Sequence, residues 1–344
     1  MSEPFFSEVP DVGVDVTNRC NLRCKHCYNH SGEGPVQELT LGQLTALFEQ
    51  LQQFGQKTLQ VSGGEPTLHP DFPAIVAEAG RRGMAVSINT NGVLGPACRQ
   101  RLVGLRLRRV AVSLDGMRET NDRVRGRGVF DQVVDSVGFL RCIADEVTLA
   151  THVFRSNVGE VASLVALARQ LGVAVKFSPL RPLGRAAEYM KDELPTAQDF
   201  RRVVDTVGRL RQEHPDVVIN TDFDVLRPAR AATQRPPGAR AACPAGRSRL
   251  NVSYDGYLYP CSFLVTPRSE FAIGKLGDAP VLELWRNSPV LRPLRANSRG
   301  RRCEQCPAYG RECVGGCVAM AYLTAGRLDA PDPICFVEPV PEET

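Results

Sequence analysis

The sequence has no long apolar run and few aromatic side chains. No stretch of about eighteen apolar residues occurs, which excludes a helix that spans a membrane. The first ten residues, MSEPFFSEVP, lack the basic start and the apolar segment of a secretory signal peptide. Aromatic residues are only 6% of the chain and do not interleave with its arginine groups, so a surface that stacks nucleic-acid bases is not expected. These absences predict a cytoplasmic protein that binds neither a membrane nor nucleic acid.

An excess of charge of one sign is also missing. The 42 Lys and Arg residues and 38 Asp and Glu residues give a net charge of +4, which favours no particular partner. Cysteine, in contrast, is abundant, with 12 residues in a chain of 344. Cytoplasmic thiols stay reduced, so this number indicates metal or cluster ligation rather than disulfides. The length suits about two domains.

Apolar segments of two kinds alternate along the first part of the chain. Short β-branched runs predict strands, and longer segments with apolar residues at helical spacing predict helices. Their alternation predicts an α/β fold with a parallel sheet, a partial barrel of six βα units or an open sheet. The predicted strands are Val12–Val16, Thr58–Val61, Ala85–Thr90, Val110–Leu114, Val147–Phe154 and Val173–Phe177. The predicted helices are Leu41–Phe54, Phe72–Arg82, Val129–Arg141, Val158–Leu171 and Ala197–Glu213.

The composition changes after the last predicted helix. Residues Arg227 to Arg249 are rich in Arg, Ala, Pro and Gly, which is typical of a linker. Seven of the twelve cysteines follow in the last third of the chain. We therefore predict a core domain over residues 1–232 and a small, irregular, cysteine-rich domain over residues 233–344.

Three cysteines follow the first predicted strand within eight residues. Cys20, Cys24 and Cys27 have the spacing C-x3-C-x2-C and stand among polar and charged residues, which argues against three unrelated buried thiols. Three thiolates are one too few for a closed structural zinc site. They are the right number for a four-iron cluster that keeps one iron open to another ligand.

A second polar loop follows the second predicted strand. Gly63 and Gly64 allow a ligand to approach the backbone closely, and the carboxylate of Glu65 can accept hydrogen bonds from an ammonium group. The carboxyl ends of parallel strands carry the chemistry of such folds. We therefore expect the Gly63–Glu65 loop to lie beside the cysteine loop, which comes one βα unit earlier in the chain.

Together these loops resemble the radical S-adenosylmethionine (SAM) superfamily, whose hallmark is C-x3-C-x-φ-C with φ usually aromatic. His26 takes the φ position here. The resemblance implies a [4Fe–4S] cluster on Cys20, Cys24 and Cys27, with the amino and carboxylate groups of SAM on the fourth iron. It implies a reductant such as flavodoxin or ferredoxin. One electron would cleave SAM to methionine and a 5′-deoxyadenosyl radical, which removes a hydrogen atom from the substrate.

The same resemblance implies a set of SAM contacts. Gly63, Gly64 and Glu65 would hold the SAM ammonium group. Asn91 and Ser113 stand at the third and fourth strand ends, where the family places polar contacts; Asp115 is either such a contact or a turn former. Arg125 would pair with the SAM carboxylate, or is an exposed loop arginine. Pro182–Ala186 resembles the segment that passes the adenine.

The cysteines of the last third resemble the SPASM extension, which holds auxiliary [4Fe–4S] clusters in related enzymes. Its usual C-x2-C-x5-C-x3-C core has one extra residue here, before Cys313. A zinc ribbon is the alternative interpretation of CxxC with two later cysteines. By the family pattern, the distal set is Cys303, Cys306, Cys313 and Cys335. By the same pattern, the proximal set is Cys243, Cys261 and Cys317.

The remaining candidates have weaker patterns. Cys98 and Cys142 belong to neither set and are expected to be buried small apolar residues. Asp222 and Asp224 are either catalytic bases or surface turn residues. Ser262 follows Cys261 where sulfatase maturases, a branch of the family, have a catalytic aspartate, so that activity is not expected.

The substrate is the least constrained of the predictions. Many enzymes with this extension modify peptides and carry a leader-binding wing before the barrel, whereas the first strand here starts by about Val12. This favours a small molecule, such as a sugar, aminocyclitol, nucleoside or tetrapyrrole intermediate of natural-product or cofactor biosynthesis. The alternative is a peptide maturase that works with a separate leader-binding partner. A non-catalytic iron–sulfur scaffold or electron-transfer protein is the alternative of another class, but it has no use for the Gly63–Glu65 loop.

Overall fold

One mixed sheet of ten strands organises the chain in the computed structural model, with order β10-β9-β8-β1-β2-β3-β4-β5-β6-β7. The structure describes residues 10–222, 243–265, 270–296, 299–307, 309–310 and 313–337. The strands are β1 (Asp11–Asp15), β2 (Thr58–Ser62), β3 (Ala85–Thr90), β4 (Leu107–Ser113), β5 (Ala144–Val153), β6 (Ala174–Pro179), β7 (Ile219–Thr221), β8 (Arg249–Val252), β9 (Tyr257–Tyr259) and β10 (Gly274–Lys275).

Helices connect and cover these strands. They are α1 (Leu41–Gln53), α2 (Phe72–Arg81), α3 (Pro96–Leu102), α4 (Arg118–Arg125), α5 (Val129–Ile143), α6 (Val161–Leu171), α7 (Arg185–Tyr189), α8 (Ala197–Glu213), α9 (Val281–Asn287), α10 (Arg292–Ala296), α11 (Arg301–Glu304) and α12 (Val318–Ala325). The capping boxes of Thr40 with Gln43 and of Thr196 with Asp199 fix the starts of α1 and α8. None of the helices in the described ranges is long and apolar enough to cross a membrane.

The predicted α/β fold with a parallel sheet is confirmed, and each predicted strand overlaps an observed one. β1 to β7 are all parallel to their neighbours, in chain order. Side chains such as Val14, Val61 and Leu149 are almost completely buried between the sheet and the helices. All the loops at the carboxyl ends of β1 to β7 therefore lie along one edge of the sheet.

Four of the ten strands, β7 to β10, were not predicted from the sequence. The six predicted strands correspond to β1 to β6, whereas β7 has only three residues, too few to show a period. The predicted linker was also wrong at its end, since Arg249 begins β8, which pairs in parallel with β1 in the register Val12 to Leu250. The rest of that linker through residue 242, Asp224 and the predicted boundary at residues 232–233 lie outside the described residues.

Candidate active site

The loop after β1 carries the three clustered cysteines. Cys24 is buried, and Cys20 and Cys27 are partly buried. Burial is the main cause that raises the pKa of Cys20 to about 11, and the charges of Glu65, Cys24 and Cys27 contribute to the rise. The three sulfurs therefore face a common space in which thiolates need a cation to offset their charge.

The Gly63–Glu65 loop packs backbone to backbone against this cysteine loop. The Gly64 N–H donates to the Thr17 carbonyl oxygen at 2.7 Å, and the Glu65 N–H donates to the Arg19 carbonyl oxygen at 2.8 Å. A Cβ atom on Gly64 would lie 2.3 Å from the Arg19 carbonyl oxygen. Gly63 has φ +140°, and a Cβ there would lie 2.4 Å from the Thr17 carbonyl oxygen. Both glycines are thus required by the contact between the two loops.

The carboxylate of Glu65 is completely buried and ties this loop to the end of β3. Its Oε1 accepts hydrogen bonds from Thr67 N, Thr67 Oγ1 and Thr90 Oγ1, and its Oε2 accepts one of 2.7 Å from Asn91 N. Burial raises the pKa of Glu65, while these hydrogen bonds lower it. The side chain of Asn91 reaches the cysteine loop, with its Nδ2 3.7 Å from Cys20 Sγ.

A buried ionic cluster lies on the other side of the cysteine loop. Arg125 Nε is 2.6 Å from Asp115 Oδ2, and its Nη1 is 3.8 Å from Cys24 Sγ. His26 Nε2 lies 3.1 Å from the same carboxylate oxygen. The His152 backbone N–H donates to Asp115 Oδ1 at 2.7 Å, which completes the carboxylate's contacts. This arrangement gives Asp115 a definite role in holding Arg125 beside a cluster cysteine.

The charge states of this cluster follow from its burial. Burial raises the pKa of Asp115, but Arg125 and His26 lower it by more, so the pKa lies well below its usual range. Burial lowers the pKa of His26 to about 4. At neutral pH His26 is therefore uncharged, and its Nε2 lies 3.3 Å from Arg125 Nη2 as well as 3.1 Å from Asp115 Oδ2. The ligand atoms of His26, Asp115 and His152 lie within 4.8 Å of one another, but the Arg125 guanidinium already supplies the cation there.

Ser113 is the one predicted SAM contact that touches none of these groups. It is the last residue of β4, where it is half-buried and pairs in register with Ala150 of β5. Its side chain makes no hydrogen bond to any described residue.

The segment Pro182–Ala186 contacts the cysteine loop from the end of β6. Arg185 is 4% exposed and donates from Nε to the Cys24 carbonyl oxygen at 2.8 Å, while its backbone N–H donates to the Cys27 carbonyl oxygen at 3.0 Å. Gly184 has φ +52°, and a Cβ there would lie 2.5 Å from the Cys27 carbonyl oxygen. The family resemblance implies that this segment passes the adenine, and the role of Arg185 in holding the cysteine loop was not predicted.

Polar side chains line the inner face of the sheet next to these loops. Tyr28 Oη is 3.4 Å from each carboxylate oxygen of Asp15, and Asn251 of β8 donates to Asp15 at 3.3 Å. Burial raises the pKa of Asp15 to about 6. None of these three residues was predicted, because they are 13 to more than 200 positions apart in the chain.

Asp222 follows β7 and lies at the same edge of the sheet. It accepts a 2.7 Å hydrogen bond from Ser178 Oγ and pairs with Lys176 Nζ at 3.1 Å. Burial raises its pKa, but Lys176 and Arg181 lower it to about 2. Asp222 is thus a charged partner of β6 side chains.

The later cysteines come together in the two predicted sets. Burial, together with the charges of Cys317 and Cys243, raises the pKa of Cys261 to about 12. In the same way, the charges of Cys313, Cys335 and Cys306 raise the pKa of Cys303 beyond the effect of burial. The thiols whose charges act on Cys261 and on Cys303 are therefore members of the same predicted set as each of these residues.

The spacing of the sulfurs argues against zinc. Tetrahedral zinc with bonds of about 2.3 Å holds its sulfurs about 3.8 Å apart. Across the described ranges, no three cysteine sulfurs all lie within 4.8 Å of one another. The sets are wider than a single metal ion requires, which fits a polynuclear cluster. Cys98 is half-buried, but Cys142 is exposed, so its predicted burial was wrong.

Arg181 connects the barrel to the proximal set. Its guanidinium lies 4.0 Å from the ring centre of Phe263, whose backbone N–H donates to Cys261 Sγ at 3.4 Å. The Phe263 ring also meets the ring of Tyr28 edge-on, at 6.5 Å between centres. The aromatic pair Tyr28 and Phe263 therefore bridges the cysteine loop and the proximal set.

Comparisons with known proteins match both parts of the chain. Residues 14–168 match the model of the radical SAM superfamily, and residues 243–307 match that of the SPASM iron–sulfur cluster-binding domain. The mycofactocin maturase MftC of Mycobacterium ulcerans is 33% identical over 93% of this chain and 86% of its own length. The chain belongs to the radical SAM superfamily.

This radical SAM chain is also similar to proteins that are not named as mycofactocin maturases. The AdoMet-dependent heme synthase of Methanosarcina barkeri is 29% identical, over 95% of this chain and 96% of its own length. Two solved structures share the fold, each with a TM-score of 0.76. Streptococcus suis SuiB bound to SAM is 14% identical, over 98% of this chain and 78% of its own. The anSMEcpe structure with bound AdoMet is 17% identical, over 94% of each chain.

The residues fit the groups that the radical SAM and SPASM families use. A [4Fe–4S] cluster and SAM belong to the first domain, and auxiliary iron–sulfur clusters belong to the second. Cys20, Cys24 and Cys27 offer three thiols beside the buried guanidinium of Arg125, which supplies the charge that thiolates need. The predicted cofactors and the predicted partial-barrel fold are confirmed.

Proposed function

We propose that this radical SAM enzyme is a maturase that removes a hydrogen atom from a peptide precursor bound at the carboxyl ends of β1 to β7. The hydrogen atom would pass from a substrate C–H bond to the 5′-deoxyadenosyl group of SAM, with one electron supplied by a carrier such as flavodoxin or ferredoxin. The products from SAM would be methionine and 5′-deoxyadenosine. When bound, the first cluster and SAM supply this one-electron cleavage.

The observation that carries this proposal is the backbone contact between the cysteine loop and the Gly63–Glu65 loop. The contact holds three cluster ligands and a glycine-rich loop within hydrogen-bonding distance, at the edge where parallel strands end. A scaffold that only stored clusters would not need two glycines packed on the ligand loop. Because the Glu65 carboxylate already accepts four hydrogen bonds, we propose that its role is to hold the loop while the backbone of Gly63 and Gly64 faces SAM.

The other SAM contacts remain proposals for individual residues. Asn91 lies beside Cys20, and Arg125 and His26 lie beside Cys24, so each is placed to meet a ligand of the first cluster. Ser113 ends β4 at the same edge. Arg125 is already paired with Asp115, so it would offer its remaining N–H groups to the SAM carboxylate.

A peptide precursor is favoured by the maturases among the relatives, which are the most similar in sequence of those described above. SuiB supports the same choice at the level of fold, since a structure of it holds its precursor peptide SuiA. A small molecule of the tetrapyrrole class is the second candidate, because the heme synthases match this chain over nearly its whole length. The polar inner face formed by Asp15, Lys176 and Asp222 suits either substrate.

The test is anaerobic reconstitution with iron and sulfide, followed by SAM and dithionite and detection of 5′-deoxyadenosine by mass spectrometry. We expect cleavage of SAM that Cys24→Ala abolishes while the auxiliary iron is retained. Candidate peptides and iron porphyrins would then be compared for stimulation of cleavage above the uncoupled rate and for loss of substrate hydrogen. Cleavage by Cys24→Ala would remove the assignment of the first cluster, and stimulation by the porphyrin alone would replace the peptide with a tetrapyrrole.

A further inference from the structure

Arg299 is a buried arginine with an unsatisfied nitrogen in the last third of the chain. It is 2% exposed, and its two terminal nitrogens donate to the carbonyl oxygens of Leu328 at 2.6 Å and Gly316 at 3.1 Å. Its Nε has no hydrogen-bond partner. Within the described part of the chain, Arg299 forms no ion pair with a carboxylate.

A buried guanidinium destabilises the folded chain unless a negative charge lies near it. Burying an unpaired cation costs several kcal/mol in order of magnitude, so such groups are paired in folded proteins. The buried carboxylate of Asp332 accepts the backbone N–H groups of Cys317 and Ile334 and forms no ion pair with Arg299. Asp329 is paired with Arg327 at the surface. The charge of Arg299 also lowers the pKa of Asp329, but less than its pairing with Arg327 does. No carboxylate of the described residues lies within ion-pair distance of Arg299, so thiolates are the other anions that can offset its charge.

Arg299 lies beside the segment between Cys313 of the distal set and Cys317 of the proximal set, since it contacts Gly315 and Gly316. Its positive charge lowers the pKa of Cys243 in the proximal set and of Cys303 in the distal set, against the burial that raises both. As thiols these groups are neutral and do not pair with Arg299. As cluster ligands they are thiolates, and each cluster with its thiolates is an anion.

The backbone between the two sets also packs on Arg299. Gly315 and Gly316 form the turn that leads from the distal ligand Cys313 to the proximal ligand Cys317, with φ of +84° and +73°. A Cβ atom on Gly315 would lie 2.8 Å from Arg299 Nε, and the Gly315 N–H donates to Cys313 Sγ at 3.3 Å. Arg299 therefore contacts the shortest segment of chain that joins the two sets, residues 313–317.

We propose that Arg299 is a positioning residue shared by the two auxiliary clusters. Its guanidinium offsets the negative charge of both thiolate sets, and its bond to the Gly316 carbonyl oxygen fixes the turn between them. Adding an electron makes a cluster more negative, so a nearby cation stabilises the reduced form of each. Arg299 therefore raises the reduction potentials of both auxiliary clusters together. This rests on the proposed function only in placing clusters in both cysteine sets.

The experiment is a redox titration of the auxiliary clusters, followed by electron paramagnetic resonance. The full chain would carry Cys20→Ala, Cys24→Ala and Cys27→Ala, so that the first cluster does not contribute. We expect Arg299→Gln to lower the reduced-to-oxidised ratio of both clusters at a fixed potential at least tenfold, which is about 59 mV for a one-electron couple. Arg299→Lys, which keeps the charge, should retain both potentials to within that margin.

Arg295→Gln is the matched control. Arg295 is also a partly buried arginine whose guanidinium donates to backbone carbonyl oxygens, those of Gly246, Arg286 and Trp285. We expect it to leave both potentials unchanged. Unshifted potentials in Arg299→Gln, or a shift in one cluster only, would overturn the proposal.

The other outcomes are also decisive. If Arg299→Gln fails to assemble clusters, assembly with native potentials in Arg299→Lys supports the need for charge, and lowered potentials in Arg299→Lys contradict it. Absence of auxiliary iron from the parent triple variant would count against the cluster assignment itself. That result is separate from a failure of Arg299 to shift potentials that can be measured.

Discussion

Arg185 Nε donates a 2.8 Å hydrogen bond to the backbone carbonyl oxygen of Cys24, across 161 positions of sequence. The end of β6 thereby holds the loop that carries the first three cluster ligands. The same guanidinium donates to the Ser31 carbonyl oxygen and to Glu33, so the loop is fixed on both sides of Cys27.

Arg185→Met should loosen this loop. Loss of the guanidinium removes its hydrogen bonds to the carbonyl oxygens of Cys24 and Ser31, at a cost of about 2–4 kcal/mol in the free energy of unfolding. We expect the iron content to fall by about one cluster, with the auxiliary clusters retained, as measured by iron analysis and urea unfolding. Arg209→Ala is the control, since its exposed pair with Glu213 is worth at most about 1 kcal/mol. Native iron content in Arg185→Met would contradict the role.

Gly64→Ala should separate the two loops of the active site. The new Cβ would lie 2.3 Å from the Arg19 carbonyl oxygen, a contact that only a backbone shift can relieve. We expect SAM cleavage to fall about tenfold or more, a loss of about 1.4 kcal/mol of transition-state stabilisation. The matched change Gly80→Ala in α2 meets nothing within 4 Å and should stabilise the chain by about 0.5–1 kcal/mol without altering cleavage. Equal cleavage by the two variants would show that the close contact is unimportant.

Asp15 should make stability depend on pH. Burial raises its pKa to about 6, so between about pH 4 and 6 the folded chain keeps a proton that the unfolded chain has lost. Stability therefore falls as pH rises through this window and is level above it. Asp15→Asn removes the buried charge and should stabilise the protein at pH 7.5 by about 1–3 kcal/mol. Urea unfolding should show a smaller gain at pH 5, and the same gain at both pH values would contradict a raised pKa.

Cys306→Ala should remove the distal auxiliary cluster. Iron analysis should show a loss of about one cluster's worth of iron, because a thiolate ligand of that cluster is missing. Cys98→Ala is the control, since Cys98 lies in neither set and should leave the iron content unchanged. Zinc bound in stoichiometric amount to the purified protein, and lost with Cys306, would overturn the cluster assignment.

Local patterns predicted the parts of the site that are contiguous in sequence. The cysteine triplet and the Gly63–Glu65 loop, which the structure brings into contact, were singled out because ligand spacing and turn residues are visible in short segments. The two later cysteine sets came from the family resemblance. The helix Ala197–Glu213 was predicted at both ends, since Thr196 and Asp199 give a complete capping box.

The contacts that position these parts were not predictable. Arg185, Arg299 and the pair of Asp15 with Tyr28 act across folded distances, and a single buried arginine has no local pattern. Glu65 was expected to face a ligand, yet its carboxylate is bonded within the protein, because Thr90 and Asn91 reach it from β3. The strand β8 was not predicted because it has only four residues, too few to show the alternation of a strand, and it follows a segment rich in proline and glycine.

The parallel pairing of β8 with β1 also constrains the order in which the chain can fold. β1 is made first, but its second edge is completed only when residues 249–252 are available, more than 230 positions later. Pairings between such distant segments form slowly and leave strand edges exposed meanwhile. The loop of Cys20, Cys24 and Cys27 follows the carboxyl end of β1. We therefore expect cluster insertion during biosynthesis to follow completion of the sheet.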